Sequence, residues 1–377
     1  MKEALTDRVQ IRQAERVVVK VGSSSLTLPD GTLDTDAIAR LAQALIGARE
    51  RGQEVILVSS GSMAAGMNAV GLTGRPKDIP LHQAASMVGQ SRLIAAYQAE
   101  FAKADITVGQ VLLTATDVMN RRHYANAQES LLLLLSYGII PIVNENDAVI
   151  TEELRFGDND RLAALTSHLV AADALILLTD VDGLYTAPPS HEPEASLIST
   201  VHSFDELEQY EITGRGSVVG TGGMATKVAA ADLACSGGVG VLLTSTHNVE
   251  RALAGEEVGT WFVPTRPRSS ARQLWLAHAA QSRGTVIIDS GAVRALLSHG
   301  ASLLPVGVIA VAGRFRVGDL VDIQSVDGQH IGRGLTAFSS GDLSRIAADK
   351  EAARGLRPVV HANDLVRSYR TGIGNDN

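Results

Sequence analysis

Between residues 17 and 244 the chain alternates short runs of Val, Ile and Leu with longer segments of helical periodicity. No other feature restricts the fold as much, because the alternation calls for an α/β sheet whose strands are joined by crossover helices. Residues 17–21, 55–59, 106–113, 139–144, 174–178 and 239–244 read as strands. Residues 35–51, 125–137 and 160–171 read as helices, the first closed by Gly52. A glycine loop beginning at Thr221 runs into a further helix that ends at Ser236. Strands covered on both faces account for runs of Val, Ile and Leu with little polar alternation.

The pattern changes after Val263. Residues 264–282, rich in Pro, Arg and Ser at the start, read as a linker, with 274–280 a short helix. From Gly284 onward, short strands at 285–289, 306–311, 320–324 and 330–336 are separated by Gly and Asp turns, which implies a small β-rich domain. A chain of 377 residues is long enough for two cores. The expected division is therefore 1–263, 264–282, 283–366 and a tail at 367–377.

Charge narrows the partners. The formal net charge of -8 argues against a nucleic-acid backbone or a membrane surface as the main partner. Residues 283–366 carry nine Lys or Arg against eight Asp or Glu, so they form no basic platform either. With one cysteine, Cys235, the chain forms no internal disulfide and suits a reducing compartment. The first residues lack the apolar core of a signal peptide, and no apolar run approaches the roughly 20 residues of a spanning helix. A cytoplasmic protein with no membrane association is expected.

Several loops carry chemistry-bearing residues. In Gly220-Thr-Gly-Gly-Met-Ala-Thr-Lys227 the glycines free backbone N–H groups to face an anion, and the helix that follows adds its positive end. The Gly-Lys-Ser/Thr ending of a Walker loop is missing, and an ordinary turn explains the glycines alone as well. Lys20 ends the first strand, before Gly22-Ser23-Ser24, where burial without a partner would be costly; a surface lysine is the bland alternative. Ser59-Ser60-Gly61 and Ala64-Ala65-Gly66 follow the second strand and suit either a ligand or close helix packing. Asn144-Glu-Asn-Asp147 and Phe156-Gly-Asp-Asn-Asp160 are rich in carboxylates and amides. They fit a metal, an ammonium group or a lysine pair, while a helix cap at Asp158 or Asn159 is the simpler reading of the second. Thr179-Asp180 follows another strand, although Asp182-Gly183 there would serve as a turn.

Each of these segments taken alone has an ordinary explanation. Taken together they do not, because five loops following five predicted strands carry Gly, Ser, Asp, Asn or Lys, while the opposite strand ends show nothing comparable. In open α/β sheets, ligands bind beyond the carboxyl ends of the strands.

These segments, in this order and number, resemble the amino-acid kinase superfamily, and within it the glutamate 5-kinase family. Residues 283–366 resemble the PUA domain that many of its members carry, through Arg283-Gly-Thr-Val-Ile-Ile-Asp289, Gly300-Ala-Ser-Leu-Leu-Pro305 and Gly318-Asp319. The resemblance implies a three-layer α/β/α fold with a mainly parallel sheet, and transfer of the ATP γ-phosphoryl group to the γ-carboxylate of L-glutamate, which opens proline synthesis. By matching position, Lys20, Thr179, Asp180 and the loop Thr221, Gly222, Gly223, Met224, Ala225, Thr226, Lys227 would contact ATP. Ser60, Gly61, Asp147 and Asn159 would bind glutamate, and Asp160 would orient Lys20 and Lys227 as catalytic groups. Mg²⁺ would come with ATP, no protein metal ligand is assigned, and proline feedback and a homo-oligomer are expected. Ser62-Met63 replaces the more usual Ala-Ile, and Val181 occupies a variable position.

The chemistry agrees. A glutamate side chain ordinarily titrates near pH 4.3 and is already ionised at neutral pH, so no general base is required. Positioning and positive charge must do the work, and two lysines with backbone N–H groups are suited to it. Two rival readings remain. One is an acceptor such as N-acetylglutamate, aspartate, carbamate or UMP, which the Phe-Gly-Asp-Asn-Asp segment disfavours. The other is RNA binding through the C-terminal domain, for which charge gives no support.

Overall fold

The first strand, β1 (Arg16–Val21), has five consecutive residues no more than 1% exposed. It sits in the middle of an eight-stranded sheet and is covered on both faces, which is why it shows no polar alternation. The computed structural model describes residues 3–367 except 29–31, 73, 75, 77, 115, 116, 119, 150–158, 188, 190, 191, 193, 211–222, 266–281, 300, 350–352 and 354. The expected helix at 274–280 and the tail beyond residue 367 lie outside the described residues.

Contacts divide the chain into two units, one holding Met1–Val118 and Arg122–Ser269, the other Met119–Arg121 and Ser270–Asn377. In the first, the elements run β1, α1 (Thr35–Glu50), β2 (Glu54–Ser59), α2 (Ser62–Met67), α3 (Ile79–Ala102), β3 (Val108–Leu113), α4 (Arg121–Ser136) and β4 (Ile140–Glu145). They continue with α5 (Asn159–Leu169), β5 (Ala174–Thr179), β6 (Thr200–Val201), α6 (Met224–Ser236), β7 (Gly240–Ser245), α7 (Val249–Leu253) and β8 (Thr260–Phe262). The strand order is β3-β4-β2-β1-β5-β7-β8-β6. All pairs are parallel except β7 with β8.

Helix α1 shows how local sequence sets these boundaries. Asp34 accepts the Ala37 N–H at 2.8 Å as N-cap, and Gly52 leaves the helix at φ +89°. Its apolar face, with Ile38, Leu41 and Leu45, packs against Val17, Val19 and Val21 of β1. Because strand side chains alternate, Val18 and Lys20 point to the other face of the sheet.

Helix α3, the longest among the described residues at 24 residues, is not one of the helices expected from the sequence. It crosses α2 at two glycines. A Cβ on Gly66 would lie 1.8 Å from the Ala85 carbonyl oxygen, and one on Gly89 would lie 1.7 Å from that of Ser62. Gly66 therefore serves helix packing, the structural of the two readings open for its segment.

The second unit folds around a five-stranded sheet, with strand order β10 (Val308–Gly313), β9 (Gly284–Ile288), β11 (Leu320–Ser325), β12 (His330–Thr336) and β13 (Val360–Arg367). Helices α8 (Ser290–His299) and α9 (Ser340–Ala348) accompany it, and Val286, Ile288, Leu296, Val321, Ile323 and Leu343 form its core. The sequence pattern suggests strands and turns alone, so both helices are additions to it. The strand expected to begin at 306 begins at Val308 because Pro305–Gly307 forms a 3-10 turn.

Candidate active site

Parallel pairing brings the carboxyl ends of four central strands level. Val21 pairs with Ser59 on one side and with Leu178 on the other, and Val58 pairs with Val143. Gly22, Ser60, Asn144 and Thr179 therefore share one edge of the sheet.

Above this edge α5 and α6 begin. Asp160, in the first turn of α5, is fully buried and lies under two ammonium groups. Lys20 Nζ is 2.5 Å from its Oδ1, and Lys227 Nζ is 3.1 Å from its Oδ2. Lys20 comes from β1, Lys227 from the first turns of α6, and Asp160 from a third element. Thr226 adds a hydroxyl donated to Asp160 Oδ2 at 3.3 Å. Two cations on one carboxylate leave a net positive cluster, held rigid by three elements of the core. It suits an anion whose charge must be spread as it is transferred.

Asn159, next in sequence to Asp160, turns the other way. Its Nδ2 donates to Ser60 Oγ at 2.9 Å, to the Ser59 carbonyl at 3.2 Å and to Asn144 Oδ1 at 2.8 Å. Ser60 and Asn159, named together from sequence, are thus brought into contact. Gly61 takes φ +106°, a left-handed turn that ends β2 and starts α2. Ser62 Oγ donates to Asp147 Oδ2 at 3.0 Å, tying that turn to the loop after β4. Ser59, by contrast, pairs with the buried Tyr97 hydroxyl at 2.9 Å, which docks α3.

Thr179, the last residue of β5, donates its hydroxyl to Asp180 Oδ1 at 2.9 Å, and its carbonyl accepts from Thr246 Oγ1 at 3.3 Å. Gly223 is the N-cap of α6, and Met224, Ala225, Thr226 and Lys227 follow it in the helix. Thr221 and Gly222, like Phe156, Gly157 and Asp158, lie outside the described residues. The described end of the glycine loop opens α6, which runs to Ser236 as the sequence pattern suggests.

Among the described residues, no group of three or more His, Cys, Asp or Glu converges, and Asp160 is engaged by the lysines. Cys235 is buried, its thiol pushed up by burial first and by nearby Asp232 second, as expected for a packing residue. Sequence reasoning misses Gln90 and Ser86 of α3, because it misses the helix itself. The sequence does hold signals of that helix: Pro80 just inside its start, and Leu93, Tyr97 and Phe101 at four-residue spacing in its second half.

A mainly parallel α/β sheet with two lysines converging on one carboxylate at its carboxyl edge suits a phosphoryl-transfer enzyme. Comparison with known proteins agrees. The amino acid kinase family matches residues 15–245, and the PUA domain matches residues 284–354. Glutamate 5-kinase of Thermobifida fusca is 50% identical over 368 residues, spanning 95% of each chain. Glutamate 5-kinase of Frankia casuarinae is 50% identical over 364 residues, spanning 94% of this chain and 97% of that one. The chain belongs to the amino acid kinase family and, within it, to the glutamate 5-kinases. Among the described residues, no helix is long and apolar enough to cross a membrane.

Proposed function

We propose that the chain transfers the γ-phosphoryl group of ATP to the γ-carboxylate of L-glutamate, the first step of proline synthesis. The observation that carries this reading is the convergence of Lys20 and Lys227 on Asp160. Lys20 and Lys227 neutralise the transferred group, and Asp160 aims both. Met224, Ala225 and Thr226 present the start of α6 to the phosphates, with Thr179 and Asp180 on the nucleotide side. Ser60, Gly61, Asp147 and Asn159 hold the acceptor. Mg²⁺ arrives with the ATP phosphates and supplies charge neutralisation there; no protein ligand is assigned to it. Proline feedback, a homo-oligomer and a cytoplasmic setting complete the reading, on the strength of the family resemblance.

An ATP-dependent hydroxamate assay with L-glutamate, N-acetylglutamate and aspartate, each with and without proline, tests the acceptor and the feedback together. Turnover confined to L-glutamate is expected. ADP release with carbamate or UMP, and none with glutamate, would overturn the reading.

A further inference from the structure

Helix α3 places Ser86 and Gln90 one turn apart on one face. Both line a cavity of about 300 Å³, together with Ser62, Gln110, Glu145 and Asp147. Ser86 is 2% exposed, and neither its Oγ nor the buried Nε2 of Gln90 has a hydrogen-bond partner among the described residues. Buried polar atoms are nearly always paired, so two unpaired ones lining a cavity mark a place for a ligand atom.

The direction of Gln90 follows from backbone groups whose roles are set by chemistry. The Glu145 N–H donates at 2.9 Å to the Asn144 side chain, which makes that atom Oδ1 and the other Nδ2. Asn159 Nδ2, fixed by the Ser59 carbonyl, donates to the same Oδ1 at 2.8 Å. Asn144 Nδ2 then donates to Gln90 Oε1 at 2.8 Å, which leaves Gln90 Nε2 as a donor with no acceptor. A relay of three amides thus runs from the residue beside Asp160 to the cavity and ends on an N–H. The lining carries two carboxylates, Glu145 and Asp147, and no cationic side chain among the described residues. Such a cavity suits an ammonium group on its acidic side and a carboxylate oxygen on its neutral donors.

We infer that this cavity receives the amino-acid end of the acceptor, with its α-carboxylate on Gln90 Nε2 and Ser86 Oγ and its α-ammonium beside Asp147. The inference rests on the proposed reading of the acceptor as glutamate. It makes Gln90 and Ser86 specificity residues, selecting a substrate that carries a second carboxylate beside its amine.

The test uses Gln90→Ala and Ser86→Ala in the full-length chain, with thermal melts to check folding. 4-Aminobutyrate keeps the reacting carboxylate and the amine of glutamate but lacks the α-carboxylate. In Gln90→Ala the KM for L-glutamate should rise roughly 10- to 100-fold, as for loss of a charge-assisted hydrogen bond. The KM for ATP and the Ki of 4-aminobutyrate should change less than about threefold. Ser86→Ala, the smaller change, should move the same constants in the same direction. Equal rises for glutamate and 4-aminobutyrate, or an unchanged KM for glutamate in both variants, would overturn the inference. Wild-type protein that does not phosphorylate L-glutamate would instead sink the acceptor assignment.

Discussion

Lys20 and Asp160 form a buried ion pair with Nζ and Oδ1 2.5 Å apart, and neither side chain is more than 2% exposed. Lys227, 8% exposed, completes the cluster from the other carboxylate oxygen at 3.1 Å. Charges this far from water persist only when paired and well oriented, so the cluster is costly to build and more costly to break. Lys20→Ala and Lys227→Ala should each lower turnover by at least about a hundredfold, as for loss of a preorganised charge donor. Purified, folded Lys227→Ala with near-normal acyl-phosphate formation would rule out its assigned role.

The same geometry predicts an order of stability. Either lysine variant leaves Asp160 with one cation, whereas Asp160→Ala leaves two buried cations with no shared carboxylate. Asp160→Ala should therefore be the least stable of the three, by about 3–5 kcal/mol relative to the parent. Chemical denaturation of the three variants checks the ranking, and Lys20→Ala as the least stable would contradict it.

Asn159→Ala removes the donor shared by Ser60 and Asn144 without touching the lysine cluster. Its KM for glutamate should rise more than its KM for ATP. Steady-state kinetics with each substrate varied in turn decides this, and the reverse pattern would mean that the two halves of the site are exchanged.

Much of this architecture is legible in the sequence, for a definite reason. Strands such as 17–21 and 174–178 are buried on both faces, so their composition announces them, and the polar loops after them announce the working edge of the sheet. The first half of helix α3 is hidden because its contact with α2 runs through Gly66 and Gly89, where small size does the packing; only its second half carries a large apolar stripe, Leu93, Tyr97 and Phe101. With α3 go Ser86 and Gln90. Chemistry alone suggests the pairing of Lys20 with Lys227. Its cause, strand order and two helix starts meeting over one carboxylate, is a long-range relation that no local pattern carries.

The glycine crossing makes its own prediction. In Gly66→Ala the new methyl would meet the Ala85 carbonyl oxygen at 1.8 Å, a backbone atom that no rotamer change moves aside. Relief requires α2 and α3 to separate, so a loss of about 3 kcal/mol or more is expected, at the upper end of the overpacking range. Gly74→Ala, where nothing lies within 4 Å of the added methyl, is the matched control and should stay near the parent. Thermal melts of both variants, compared side by side, test this, and equal behaviour would count against the close approach.

His168 gives the fold a dependence on pH. It lies in α5, is 2% exposed, and its Nε2 is 3.4 Å from the Ala234 carbonyl of α6. Burial is the main influence and lowers its pKa from 6.5 to about 4, partly offset by backbone hydrogen bonds to Ala234 and Leu233. The sign follows directly. Below pH 6.5 the unfolded chain takes up a proton that the folded chain refuses until about pH 4, so stability falls as pH falls across that window. The contribution is complete above the unfolded value and levels off below the folded one. A shift of this size corresponds to on the order of 3 kcal/mol. His168→Gln should lose this proton uptake, so its stability should decline less steeply than the parent's between pH 6.5 and 4. Urea denaturation at several pH values gives the slopes, and parallel slopes for the two proteins would show that His168 titrates alike in both states.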